Sequence, residues 1–388
     1  MWGPSMDLST KPLAAAHPAA GRNPIANALS RIPRLLLARR EDLLLLAFAV
    51  AIVAATRAVL SYHGVEQVGA WVYVANTQLY IYAIVLVMLL RVVFGPLRIS
   101  RRSISFDISH FSLEGEARGI IASLVAIFAL STFMVNFSSF KSSIEVLNPF
   151  AWDQTFITLD RAIHGDDPWR LLQPLLGHPG ITRMLSGAYH LWFLLIYIGP
   201  VWFAIYQKDR VLRLRFFLAY FMTWTICGMV LAVALSSVGP CFVQPLLGNA
   251  HFAEQMAYLH AVDDVSPLFV IDIQERLLQW HESGRNGLGH GITAMPSMHV
   301  ALAVVYALAM GKVGKPFAWL FGAFAIVIAV ASVHLAYHYA VDGYLAAIVT
   351  VAIWMATKPL AGWIMERLTP ARGAPLGENQ GLPIIHQT

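Results

Sequence analysis

The stretch AMPSMHVALAVVYALAM, Ala294–Met310, sets Pro, Ser and His directly before an unbroken apolar run. A second stretch, SVHLAYHYAVDGYLAAI, Ser332–Ile348, repeats the arrangement with His and Asp. One histidine beside an apolar run carries little information. Two polar sets at the ends of different apolar segments point to a shared site, because ionisable groups at membrane depth are costly and usually functional.

Apolar runs recur along the chain. A membrane span needs about 20 mostly apolar residues, and eight segments meet this: roughly 43–62, 70–90, 119–137, 185–206, 216–238, 294–310, 317–335 and 340–357. Composition agrees. Of 388 residues 57% are hydrophobic and 13% charged, with mean hydropathy +0.61, whereas soluble domains average about 45–50% apolar and about 25% charged. A soluble globular domain is excluded. The expected fold is all-α, a polytopic helix bundle of about eight transmembrane helices.

The net charge of +5 does not point to nucleic acid, because the basic residues sit in short clusters between the apolar runs. With the amino terminus inside, the cytoplasmic segments hold 20 of the 27 Lys and Arg, as the positive-inside rule requires. Both termini are then cytoplasmic, in a plasma or inner membrane. Residues 1–42 read as a cytoplasmic basic tail, whose amphipathic stretch Ala28–Asp42 suits anionic lipid. An organellar transit peptide is the alternative reading. Residues 43–118 hold two spans and a cytoplasmic loop, and 358–388 read as a disordered cytoplasmic tail. The two long outer loops, about 138–184 and 239–293, are expected to roof the outer helix ends, the first through short interfacial helices. In this topology His299 and His338 share the extracytoplasmic face.

His338 and Asp342 are four residues apart, so a helix or helix-like turn puts them on one face. A carboxylate accepting a hydrogen bond from one ring nitrogen sets the tautomer and raises the basicity of the other. Such an imidazole can attack phosphorus, and His299 can protonate the departing alkoxide. Pro296-Ser297 opens a helix whose first N–H groups, Ser297 and Met298 among them, suit a phosphate. Ser297 is also the expected cap.

AMPSMHVA together with HLAYHYAVDGY resembles the second and third signature motifs of the type 2 phosphatidic acid phosphatase superfamily. Pro-Ser-bulky-His, followed 39 residues later by His-Tyr-x-x-Asp, is similar to the inositol phosphorylceramide synthase-like (inositolphosphotransferase) branch. The resemblance covers roughly residues 119–357 and implies a six-helix catalytic core there. It implies His338 as the phosphate-accepting nucleophile, Asp342 as its orienting carboxylate and His299 as general acid and base. It further implies a phosphohistidine intermediate, a phospholipid donor, a lipid or water acceptor, and no cofactor or metal. Headgroup transfer of the phosphoinositol-to-ceramide type is preferred over lipid phosphate or polyprenyl pyrophosphate hydrolysis.

The chain departs from the phosphatase pattern. Met298 replaces the glycine before the second-motif His, and Ser332 falls where the third motif has arginine. The first motif, Lys-x6-Arg-Pro, has only a decoy in Lys208 and Arg215, followed by Phe216 on the cytoplasmic face. Phosphate charge must then be met by backbone N–H groups or by outer cations such as Lys141, Arg161, Arg170 or Arg285.

Other readings stand beside this one. His334, His338 and Asp342 form an i, i+4, i+8 stripe with metal-ligand spacing, though no glutamate base accompanies it. His334 alone reads as a packing residue or one supporting the site from behind, with substrate lining as the other reading, His190 as either site-lining or satisfied in the bundle, and Arg170 as a possible substrate contact. Asp153, Asp160, Asp166 and Asp167 cap short helices or touch a headgroup. The reading from another class is a transporter or flippase, whose substrate would bind near the midplane.

Overall fold

The computed structural model describes residues 32–95, 97–99, 104–106, 112–284 and 287–368. Most of both expected tails, and Arg285, lie outside the described residues. Among the described residues seven helices are long and apolar enough to cross a membrane: α1 (Arg40–Tyr62), α2 (Ala70–Phe94), α3 (Leu113–Lys141), α6 (Pro179–Tyr206), α7 (Arg210–Ala234), α12 (Lys315–His334) and α13 (Ala340–Leu368). The eighth predicted span, α11 (Met298–Val313), has only 16 residues. It starts at 298 because Ser297 caps it, its hydroxyl accepting from Val300 N–H; the predicted start at 294 counted residues that reach the helix through a bend at Met295-Pro296.

Local chemistry sets the other boundaries. Asp209 caps α7 by accepting from Val211 and Leu212 N–H, and Ser112 caps α3. Gly314 and Pro316 separate α11 from α12. Within α7 the ladder widens into a π-turn over Ile226–Leu231. Gly228 lies there with Phe137 and Met298 so close that a Cβ would stand 2.8 and 3.2 Å from their side chains. α13 runs on to Leu368, past the predicted end at 357. A ribbon pairing Leu97–Ile99 with Ile104–Phe106 interrupts the all-helical pattern between α2 and α3.

α11 sits at the centre, against α7, α12 and α13. Its buried Ala301, Ala303 and Ala309 let neighbouring backbones approach closely. α3 and α7 are the most enclosed spans, whereas α1, α2 and α12 turn most of their surface outward. The first two spans are joined to the core by buried polar contacts. Asn76 donates to Ser131 O and Oγ, both at 3.0 Å, and Asn136 donates to Thr56. Hydrogen bonds of this kind between membrane helices contribute roughly 0.6–2 kcal/mol each.

The two loops form a helical roof. The first carries α4 (Asp153–His164) and α5 (Pro168–Leu176), as the periodicity predicts. The second holds three helices, α8 (Pro240–Leu247), α9 (Ala253–Val265) and α10 (Phe269–Glu282), where sequence indicated only turns at its two ends.

Candidate active site

Three elements meet at one end of the bundle: the start of α11, the turn between α12 and α13, and the first half of α6. α12 ends at His334, and the chain then turns through Ala336, a non-glycine residue at φ 60°. The N–H groups of Tyr337 and His338 fold back onto Ser332 O at 3.0 and 3.1 Å. Ser332 therefore shapes the histidine turn from the position where an arginine was expected.

His338 Nδ1 lies 3.1 Å from Asp342 Oδ2, and that oxygen also accepts from Tyr339 N–H at 3.1 Å. Both side chains are buried. The contact spans the mouth of α13, not one continuous helical face. The break also takes apart the alternative metal stripe: His334 turns away to Thr182, its Nε2 lying 2.9 Å from Oγ1. His334 is buried against Thr182 and makes no hydrogen bond or ion pair with His338 or Asp342 among the described residues.

His299 faces His338 with ring centroids 6.0 Å apart. It stacks on Tyr189 at 4.2 Å and leans on Trp192 at 4.0 Å. These planes hold the imidazole while leaving its Nε2 without a protein partner. Tyr189 Oη, Trp192 Nε1 and Asp342 Oδ1 are likewise buried and unpartnered. Buried polar groups in native proteins are nearly always hydrogen-bonded, so such a cluster suits a polar ligand. The two motif loops are tied directly, since Ser297 N–H donates to Asp342 O at 3.2 Å.

The remaining expected residues separate. The Ser297 hydroxyl caps α11, and the Met298 side chain packs against Gly228. Ser297 N–H is taken up by Asp342 O, so of the two expected phosphate-binding residues only Met298 adds an N–H to the helix start, where first-turn N–H groups lack intrahelical partners. His190 Nδ1 meets Ser186 O at 2.7 Å, its Nε2 is unpartnered, and the ring is within electrostatic range of His299. Arg170 is committed elsewhere, to Glu254 at 2.5 Å and Asp167 at 3.7 Å, over the Trp169 ring. Lys141, half-buried at the end of α3, is also in electrostatic range of His299 and meets no carboxylate among the described residues. Arg215 of the decoy motif donates to Trp354 O, toward the far end of the bundle. A groove of about 580 Å³ lined by Arg91, Trp202, Tyr206, Tyr306 and Phe321 also lies toward that far end.

Sequence reasoning misplaced Asp153 and Asp160. Instead of capping α4 they are 2% and 3% exposed and accept backbone N–H groups from the catalytic side of the fold. Burial holds the Asp160 carboxyl above its ordinary range, against the pull of the Ala340 and Val341 N–H groups. The only sequence signal was their i, i+7 spacing on the apolar face of an amphipathic helix.

A family model described as the PAP2 superfamily matches residues 154–356, just over half of the chain. The chain belongs to the PAP2 superfamily. Comparison with curated proteins and with solved structures found no match. Membership makes the chain a membrane phosphatase or phosphotransferase. The matched region begins within α4, so α1, α2, α3 and Lys141 lie outside it.

Proposed function

We propose that this PAP2 protein transfers a phospho-headgroup between lipids through a phosphohistidine, with His338 as nucleophile, Asp342 as orienting carboxylate and His299 as acid and base. The observation that carries the reading is the His338–Asp342 contact facing an unpartnered His299 across 6.0 Å.

Asp342 keeps the proton on His338 Nδ1, leaving the Nε2 lone pair to attack phosphorus. A P–N bond forms as the bond to the donor lipid's oxygen breaks. His299 gives its proton to that alkoxide. The acceptor hydroxyl then passes its proton to His299 and attacks the same phosphorus. The P–N bond breaks, and neutral His338 is restored. Every proton and electron pair is accounted for without a metal or cofactor.

Charge favours a phosphodiester donor. The helix start and Lys141, the one Lys or Arg among the described residues within electrostatic range of His299, match about one negative charge; a phosphomonoester brings close to two near neutral pH. Phosphoinositol transfer to a ceramide-type hydroxyl is the preferred case. The extracytoplasmic placement of the site rests on the Lys and Arg asymmetry between the loops.

The test uses purified protein with EDTA present. Phosphatidylinositol, phosphatidic acid and a polyprenyl pyrophosphate are each offered with and without ceramide or diacylglycerol, and products are read by mass spectrometry. A new phosphodiester lipid that requires the acceptor supports transfer and identifies both substrates. Free phosphate without acceptor replaces transfer by hydrolysis. Loss of activity to EDTA, restored by zinc, overturns the metal-free route.

A further inference from the structure

α4 has two unlike faces. Leu159 and Ile163 are exposed, while Asp153, Phe156, Ile157 and Asp160 turn inward. An inward carboxylate is costly unless its oxygens are met by donors. Asp153 accepts from Val238 N–H at 3.0 Å, Gly239 N–H at 3.0 Å and the Tyr339 hydroxyl at 2.8 Å. Asp160 accepts from Ala340 N–H at 2.8 Å and Val341 N–H at 3.0 Å.

The donors occupy telling positions. Tyr339, Ala340 and Val341 are the three residues between His338 and Asp342. Val238 and Gly239 follow Ser237, whose carbonyl accepts Ala294 N–H at 3.0 Å and whose hydroxyl accepts Met295 N–H at 3.2 Å. Those two residues lead into Pro296-Ser297. One roof helix therefore holds the His338 segment directly and the His299 segment at one remove, through Ser237–Gly239. The first N–H groups of α13, orphaned by helix geometry, are capped from a different element.

We propose that Asp160, supported by Asp153, is a positioning residue for phosphoryl transfer, holding the 338–342 turn in register so that His338 faces His299. Displacement of Ala340 and Val341 moves the Asp342 carboxylate relative to the ring it orients. The inference rests on the site assignment above.

Asp160→Asn replaces one acceptor oxygen with an NH₂ group that confronts a backbone N–H. The full chain is compared with wild type in two ways. The first is kcat and KM on whichever lipid the wild type turns over. The second is diethyl pyrocarbonate labelling of His338, read by peptide mass spectrometry, which needs no turnover. The expected result is kcat lower by about 10²-fold, the cost of a displacement near 1 Å, with KM nearly unchanged and His338 labelled faster. Lower thermal stability with kcat and labelling unchanged in the folded fraction overturns the proposal and leaves Asp160 a structural brace. If wild type is inactive on every lipid, the assigned function fails, and the labelling comparison still decides the positioning claim. If the Asn variant does not accumulate folded, Asp160→Glu carries the same readouts; wild-type kcat and labelling there overturn the proposal too.

Discussion

The two ends of the bundle treat buried charge in opposite ways. At the far end every carboxylate beneath the surface is closed off. Arg213 and Asp42, both fully buried, form a two-pronged pair at 2.6 and 2.9 Å. Arg210 grips Glu41 at 2.5 and 3.0 Å, and Arg215 lies over Trp354 and donates to its carbonyl. At the histidine end Asp153 and Asp160 are also met by donors, but the groups that face each other across the site are held on one side and open on the other. His299 is clamped between rings with Nε2 unpartnered; Asp342 uses one oxygen and leaves the other bare. Closed networks join helices, whereas half-open ones await a ligand. That contrast separates architecture from chemistry here more clearly than residue type does.

Substitutions at the open end should stop chemistry without unfolding the protein. His338→Gln is expected to remove turnover to background, because no other described side chain pairs with a carboxylate opposite His299. A melting curve close to wild type beside zero product is the expected pair of results. Retained turnover breaks the comparison at its centre. Asp342→Asn comes next. It keeps the shape but favours the wrong tautomer of His338, so kcat should fall by up to about 10⁴-fold, the scale of the analogous change in a serine protease triad. A ratio of kcat values near one would show that Asp342 serves only Tyr339 N–H.

The closed end should give the reverse. Asp42→Ala leaves the Arg213 guanidinium buried, with only Glu41 at 3.9 Å to offset it. Breaking one partner from a buried pair costs about 3–5 kcal/mol. Thermal unfolding should show the loss, while kcat of the folded fraction stays at the wild-type value. An unchanged melting temperature would mean that water already reaches Arg213.

Much of this plan was legible in the sequence because it is periodic or local. Spans follow from hydropathy, and the His338–Asp342 pair from a spacing of four that survives even though the helix breaks at His334. The short α11 was less legible, since a cap such as Ser297 shortens a helix without altering its hydropathy. The brace on α4 was hidden. Asp153 and Asp160 read as helix caps or headgroup contacts, and apart from the Tyr339 hydroxyl their partners are backbone N–H groups 85 and more positions away. Backbone donors leave no trace in side-chain identity. The far-end pairs were equally silent, because Asp42 and Arg213 join segments that nothing in the sequence links.

Lys141 provides the smallest and most discriminating test. It closes α3 beside Gly291, whose φ of +87° brings the second roof loop so near that a Cβ there would stand 2.7 Å from the Lys141 carbonyl. The lysine is thus placed by a close backbone approach, yet its ammonium meets no carboxylate among the described residues. If it supplies the charge that the missing arginines do not, Lys141→Met should lower kcat/KM by about 10²–10³-fold, the usual loss for one preorganised electrostatic donor. Melting should change little, because no ion pair is broken. The loss should also depend on substrate charge, growing from a phosphodiester donor to a phosphomonoester. Equal losses on both would mean that Lys141 acts on His299 alone. No loss on either would leave the start of α11 as the whole phosphate site, and the open end of the bundle would then hold phosphate with backbone only.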